Sequence, residues 1–553
     1  MKQQLSSAVN PAPANQPFPV SSTFYFLILL VGTVSNVLVS AKWGIAGFAW
    51  IAPVCFLFFY RYAPMKRKFL WLFLGFSISS IVSSYDVAPF PIPVLIILGI
   101  IEALKISLIY IVDKIVRKKS RLFVSTLFFP AAFVVLEYIN TKIGGGIWWS
   151  IANSQFSFQP MIQLASVTGM WGISFMIYWF ASVVIWILES VYAGRSYNTG
   201  VIIYGSVLGA ALLFGFLRLN IKQSENLKTV RVSGLSVPVF GFLENVYKDF
   251  CGKEVMINPR SSIVSKELQS VTSAEIPFIE TVDTIKFRNG FAAMHSINDS
   301  LFALSQQAAD QGAKIITWSE ANALVFEFED AALISRASAF ASKNKVYLLT
   351  AAAIIHPGKI TPGKKFLENK ATLFGPDGRV LNVFHKNNPV PMAEASIPGD
   401  GVIPVIETPY GKISTSICYD ADFPTQMSQL GKNKSDVLLL PSGDWSAIAP
   451  YHTYMAAFRG IENGTTIVRQ ASGGLSAVTD YRGKVLHSFD FYKPGAKIWT
   501  SEISIGHVPT VYNVIGDAFA YLCIKFTVFV LAWLLVSTVS SRFARKRRDV
   551  SIA

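Results

Sequence analysis

The chain opens with a series of long apolar runs. They lie at about 22–40, 44–61, 68–84, 90–113, 121–139, 166–189 and 199–218, and one more follows near 516–538. Each approaches the ~20 residues that a helix needs to cross the hydrocarbon of a bilayer. The pattern therefore predicts eight transmembrane helices, of which the third is the most polar because it carries several serines. Residues 1–21 are polar and Pro-rich and are read as a disordered tail. Between the seventh and eighth runs lies a polar region, 219–515, in which the period of the apolar positions alternates between helix and strand. A helix over 291–311 places Ile297, Leu301, Leu304 and Ala308 on one face and stops at Gly312. A strand at 313–318, a helix at 327–344 and a strand at 345–355 follow. Residues 369–386 form a hairpin turned by GPDG. Further strands are predicted at 411–418, 436–441, 465–471, 475–480, 484–489 and 497–504, with a helix at 450–463. Hairpins mixed with βαβ units predict an α/β sandwich rather than a doubly wound sheet.

Charge orients the spans. The net charge is +15 in a chain that is 52% hydrophobic, with mean hydropathy +0.42. The basic residues gather in particular loops. Arg61, Lys66, Arg67 and Lys68 follow the second run, and Lys114, Arg117, Lys118, Lys119 and Arg121 follow the fourth. Arg195 follows the sixth, and Arg542, Arg545, Lys546, Arg547 and Arg548 follow the eighth. The short loops on the other side hold only Lys42 and Lys142. Cytoplasmic loops concentrate Lys and Arg. Both termini, including a basic tail at 539–553, are thus expected in the cytoplasm, and 219–515 outside it. The first run lacks a small-residue cleavage site and is read as a retained span, not a signal peptide. The interleaved aromatic and basic pattern of a nucleic-acid binder is absent. Glu102, Lys105 and Glu137 fall in or near spans, where charge is costly. Glu102 and Lys105 are spaced to pair on one helix face, and Glu137 is a candidate functional group. The aromatic, Gly-rich loop 144–160 is expected at the outer interface, with Trp148 and Trp149 at headgroup level.

Candidate chemistry lies in the polar region. Of four cysteines, Cys55 and Cys523 sit in apolar runs and Cys251 and Cys418 in the polar part, where a disulfide between the two stays open. There is no CxxC and the six histidines form no ligand cluster, so neither a metal nor a cofactor is expected. Glu320, Lys386 and Cys418 each close a strand-like run: AKIITWSE, GRVLNVFHK and GKISTSICY. A carboxylate can take a thiol proton, and an ammonium can stabilise the thiolate and the oxyanion that follows. The three together make a nucleophile without histidine. Ser414, Ser416 and Cys418 share one strand face. FPTQMSQLG then starts a helix at Pro424, so helix-end amides are expected to lower the Cys418 pKa. Glu394, in the loop HKNNPVPMAE, returns a carboxylate towards Lys386.

Glu, then Lys after a GPDG hairpin, then Cys at a strand end resembles the carbon-nitrogen hydrolase (nitrilase) superfamily. With eight spans, the whole stretch from about 22 to 540 is similar to its apolipoprotein N-acyltransferase family. IWWSIANSQ and IQLASVTGMWGISF resemble that family's membrane motifs. WSE, HKNNPVPMAE, ICYDADFP and RGIENGTTIVRQASGG resemble those of its catalytic domain. The resemblance implies a polytopic α/β protein with an α-β-β-α sandwich. Glu320 would be the general base, Lys386 the thiolate and oxyanion partner, and Cys418 the nucleophile. Glu394 would support Lys386, and Tyr419, Asp420 and Trp445 would border the substrate. It also implies a bacterial inner-membrane enzyme with a phospholipid acyl donor and a lipoprotein acceptor, and a monomer is expected. The sequence departs from the pattern in several places. Lys386 and Cys418 are only 418 − 386 = 32 positions apart, Ser319 replaces a proline, and Ser472 and Gly473 replace Asn-Thr. A membrane-anchored amidase using water, and a catalytically silent scaffold or lipid transporter, remain alternatives.

Overall fold

The computed structural model describes residues 20–221, 228–238, 244, 248–249, 284–356, 365–391, 394–495 and 497–552. The tail expected to be disordered and Cys251 fall outside the described residues, apart from 20 and 21. Seven long helices, with shorter turns between them, form the first part: α1 (Ser22–Val39), α2 (Ala46–Tyr62), α3 (Lys68–Ser84), α4 (Ile92–Lys119), α5 (Phe128–Lys142), α6 (Met170–Tyr192) and α7 (Asn198–Asn220). Among the described residues, six helical segments are at least 18 residues long and apolar enough to cross a membrane. They include the last helix of the chain and the 3-10 turn that runs into α5. α2 and α3 are equally apolar in character but have 17 residues each. The sixth run begins later than its hydropathy suggests. Gly169, at φ +65°, breaks it, and α6 starts at Met170. Aromatic rings fill the bundle interior, with Phe133 stacked on Tyr178 at 3.9 Å and Phe56 packed on Phe76 at 4.1 Å.

Charged side chains inside the bundle meet partners. Arg61 of α2 reaches Asp113 of α4 (2.5 Å) and Glu189 of α6 (3.1 Å), and Arg117 of α4 also grips Glu189. Glu102 and Lys105 pair on one face of α4, as their spacing predicts, and Lys105 Nζ donates to Asn140 Oδ1 at 2.9 Å. Glu137 of α5 accepts hydrogen bonds from Ser174 Oγ (2.7 Å), Ser150 Oγ (2.8 Å) and Ile151 N (3.2 Å). It ties α5, α6 and the 144–160 loop together.

The polar region is a two-sheet sandwich. Its strands are β1 (Lys228–Leu235), β2 (Ile315–Trp318), β3 (Ala323–Phe326), β4 (Tyr347–Ile355), β5 (Leu367–Phe374) and β6 (Val380–His385). They continue with β7 (Val405–Thr408), β8 (Gly411–Thr415), β9 (Val437–Gly443), β10 (Thr466–Ser472), β11 (Leu475–Thr479), β12 (Val485–Asp490) and β13 (Ile498–Ile505). One sheet runs β13-β1-β2-β4-β5-β6, with β3 also on β4, and the other β12-β11-β10-β9-β8-β7. Alternate apolar residues of both sheets meet in one core, including Val232, Leu349, Leu373, Leu439 and Val468. Helices α8 (Arg288–Asp310) and α9 (Glu327–Asn344) cover the first sheet through Ile297, Leu301, Ala337 and Ala341. α10 (Tyr451–Asn463) and the short turns at 424–432 cover the second. This is the expected α-β-β-α order. β1, β3 and β7 were not predicted. α11 (Ala518–Ile552) returns along α5 and continues as helix through the basic residues.

Candidate active site

Glu320, Lys386 and Cys418 converge where β2, β6 and β8 end, at one edge of the sandwich. Glu320 stands two residues beyond β2, next to Ala321, whose φ is +48°. Its carboxylate accepts from Asn369 Nδ2 (2.7 Å) and Lys386 Nζ (2.8 Å) on Oε1, and from Gly443 N (2.8 Å) on Oε2. Lys386, fully buried, follows β6 directly and also pairs with Glu394. Burial alone would lower the Lys386 ammonium, but Glu320 and Glu394 hold it well above its ordinary value. The loop after β6 thus returns Glu394 to Lys386, as the spacing of the two suggested. Burial pushes the Glu394 carboxyl up despite Lys386.

Cys418 is 5% exposed and free, and its Sγ lies 3.7 Å from Gly443 O. β8 stops at Thr415, and Cys418 takes φ +47° at the start of a 3-10 turn, Cys418–Asp422. Strained left-handed backbone at a non-glycine residue is the kind of conformation that functional sites retain. The turn is a single 3-10 segment and not the start of a long helix, so it offers little dipole. Burial, then Glu320, push the thiol well above its ordinary pKa, and Lys386 only opposes them. The expectation that helix-end amides lower this pKa is therefore corrected.

The flanking residues have structural work. Asp420 accepts from Asn388 N (2.7 Å), Asn388 Nδ2 (3.0 Å), Ile417 N (3.2 Å) and Asn387 N (3.3 Å). It clamps the loop after Lys386 to the Cys418 turn rather than bordering an open pocket. Tyr419 donates to Gly144 O at 2.9 Å, and Trp445 Nε1 to Asp86 O at 2.8 Å. Both contacts join the sandwich to loops of the helix bundle. A cavity of about 400 Å³ lies between the two parts. Cys418, Tyr419, Glu394 and Trp445 line it on one side, and Leu98, Lys105 and Trp148 on the other. Trp148 turns to the sandwich, 5.0 Å from the ring of His452, rather than to the lipid interface; Trp149 is the exposed one of the pair.

Sequence reasoning gave no role to Asn369, Gly443, His452 or Arg469. Asn369 lies within β5, the first strand of the hairpin, and His452 is one of six scattered histidines. Arg469 binds both Asp444 oxygens at 2.8 Å, and His452 Nδ1 lies 2.9 Å from Asp444 Oδ1. Burial alone would raise Asp444, but Arg469 and His452 hold it far below the usual carboxylate range.

The carbon-nitrogen hydrolase family model matches residues 299–511, and the apolipoprotein N-acyltransferase N-terminal domain model matches residues 33–183. The chain is 23% identical to apolipoprotein N-acyltransferase 1 of Treponema denticola, over 94% of this chain and 98% of that one. It is 24% identical to the apolipoprotein N-acyltransferase of Geobacter metallireducens, over 90% and 93%. Among solved structures, it matches an amidase from Nesterenkonia sp. at 21% identity and TM-score 0.31, covering 38% of this chain and 85% of that one. The two family models fall in the same order as the bundle and the sandwich, and the chain belongs to the apolipoprotein N-acyltransferase group of the carbon-nitrogen hydrolase superfamily.

Proposed function

We propose that the chain is a membrane N-acyltransferase that works by ping-pong. Glu320 takes the Cys418 proton as Sγ attacks the ester carbonyl of a phospholipid, and Lys386 stabilises the oxyanion. Collapse breaks the ester C–O bond and leaves a thioester on Cys418. The proton passes from Glu320 to the departing lysophospholipid oxygen. The N-terminal amine of the diacylglyceryl-cysteine of an apolipoprotein then attacks the thioester. Glu320 takes the amine proton and returns it to the departing thiolate, since one base must serve both directions. Glu394 keeps Lys386 charged, Asp420 fixes the loop between Lys386 and Cys418, and Tyr419 and Trp445 hold the sandwich against the bundle.

One observation carries this reading. The cavity at Cys418 is walled by apolar membrane helices as well as by the sandwich, which suits a nucleophile whose substrates both live in the bilayer. The same reading assigns eight spans, counting α2 and α3. Residues 22–218 and 516–538 would be membrane-embedded, and 219–515 an extracytoplasmic, periplasmic domain. Both termini would be cytoplasmic in the inner membrane of a bacterium. The basic residues gathered at the ends of the second, fourth, sixth and eighth apolar runs support that orientation. Mass spectrometry of Cys418 after incubation with a phospholipid tests the reading. An acyl adduct that passes to an added lipopeptide amine is expected. Release of free acid alone would make the protein a membrane amidase instead, and no adduct would end the acyl-transfer reading.

A further inference from the structure

The cavity that Cys418 borders carries charge on its far wall as well. That wall is built by the bundle and is largely apolar, with Leu95, Leu98 and Ile101 of α4 among its residues. Into it α4 places Glu102 and Lys105, and α5 places Asn140. Among the described residues that line the cavity, Lys105 is the only lysine or arginine. Charge among apolar helices is costly and commonly marks a substrate path.

The hydrogen bonds leave two donors over. Lys105 Nζ pairs with Glu102 and donates to Asn140 Oδ1 at 2.9 Å. An ammonium has three protons, and among the described residues the third has no partner. Asn140 is buried, and the bond from Lys105 fixes which end of its amide is the oxygen. Its NH₂ end has no acceptor among the described residues. The ion pair is also open where a packing pair is closed. The Lys105 side chain is 32% exposed, against 4% and 0% for Arg61 and Asp113 in the same bundle. Arg61 and Asp113 join two helices, whereas Glu102 and Lys105 lie on one, so their pairing ties nothing together.

We propose that Lys105 and Asn140 bind the phosphodiester of the phospholipid donor, with Glu102 holding Lys105 in place until the phosphate arrives. The inference rests on the acyl-transfer reading and names the group that orients the donor. A phosphodiester is an anion with two unesterified oxygens. One oxygen takes the third proton of Lys105 and the other the Asn140 amide, both of which border the cavity. The glycerol alone joins this phosphate to the acyl esters, so an anion held at the bundle wall keeps an ester in the cavity that Cys418 lines. Glu102 acts in the opposite sense: its carboxylate competes with the phosphate for Lys105. No bond is made or broken at these residues.

The test is protection of Cys418 from iodoacetamide, on the full-length protein in detergent, read by peptide mass spectrometry. The probes are a dialkyl-ether phosphatidylmethanol and the dialkylglycerol with the same chains. The first has the phosphodiester and the second lacks it. Neither has an acyl ester, so the result does not depend on acyl transfer taking place. Wild type is expected to be half-protected at about tenfold less of the phospholipid than of the dialkylglycerol, the size of one charge-assisted hydrogen bond. Lys105→Gln loses that preference, Lys105→Arg keeps most of it, and Glu102→Gln widens it. A packing role would not give neighbouring residues opposite signs. Where Lys105→Gln does not fold because Glu102 is left unpaired, the neutral double variant Glu102→Gln/Lys105→Gln is expected to lose the preference too. Equal protection of wild type by the two lipids overturns the proposal. So does a full preference kept without Lys105, or protection by inorganic phosphate alone, which would make this a free-anion site.

Discussion

Replacing Glu320 by Gln separates two explanations of how Cys418 ionises, because they predict opposite signs. The Glu320 carboxylate is one of the two largest influences holding the thiol proton on, second only to burial. Were Lys386 sufficient to draw out a thiolate, removing that negative charge would make ionisation easier and acylation faster. Were Glu320 the base, its loss costs about 10²–10⁴-fold, or about 2.7–5.4 kcal/mol of barrier at 1.36 kcal/mol per decade. The geometry adds to the loss. A Gln amide oxygen can still accept from Lys386 and Asn369, which both bond Oε1. Its NH₂ group then faces Gly443 N, which now donates to Oε2 at 2.8 Å. Two donors meet, and an unmade buried hydrogen bond costs about 1–3 kcal/mol. The assay is the single-turnover rate of thioester formation on Cys418 with one phospholipid, by intact-protein mass spectrometry. A fall of at least a hundredfold is expected. A rate equal to wild type or faster would remove Glu320 from the base role and leave Lys386 to make the thiolate.

Glu394→Gln should weaken acylation less, about tenfold to a hundredfold, because it removes only one charged contact to Lys386, worth about 1.5–3 kcal/mol; the same thioester assay reads it. Cys418→Ala should abolish activity without lowering the thermal midpoint, and Cys251→Ala should leave activity nearly intact; the reverse result would move the site. Asp444→Asn should destabilise the protein by about 3–5 kcal/mol, since Arg469 and His452 lose a buried partner, read as a drop in thermal midpoint in detergent. The folded Asp444 carboxyl lies below its unfolded value. Its stabilisation is thus complete above the unfolded pKa of about 3.9 and is lost as pH falls further. The gap between wild type and Asp444→Asn should hold from pH 7 to pH 5 and shrink below about pH 4. Compartment-sensitive reporters fused at Ala553 and near Glu329 should report cytoplasm and exterior respectively; a cytoplasmic signal near Glu329 would sink the topology.

Much of the sandwich was legible because its elements are locally consistent. α9 occupies 327–344 as its pattern predicted, and GPDG turns the β5–β6 hairpin that delivers Lys386. β3 and β7 escaped notice because each has only four residues, too few for an alternation to show. β1 follows the last apolar run of the bundle and is identified mainly by its pairing with β2 and β13. Glu320, Lys386 and Cys418 could be singled out because each closes a strand-like run of sequence. The electrostatics of Cys418 were not, since burial by residues far apart in the chain decides its pKa. Asn369 and His452 carry no local signal. A hydrogen bond to a carboxylate 49 residues away, and a ring set against a thiol by the packing of α10, exist only once the sheets are stacked.

Three of the contacts between the bundle and the sandwich lie around the cavity: Gly144 O on Tyr419, Asp86 O on Trp445, and Trp148 on His452. They bear on how long an acyl-enzyme survives. A thioester stored on Cys418 has two fates, aminolysis by the acceptor or loss to water, and the balance depends on how much water reaches the sulfur. The helices complete the wall that the sandwich leaves open, so residues outside the sandwich bear on the lifetime of the intermediate as well. Loosening Tyr419 from Gly144 would leave Glu320, Lys386 and Cys418 in place. It would convert stored acyl groups into free fatty acid, and the protein would drift from transferase towards hydrolase without any change to its reacting atoms.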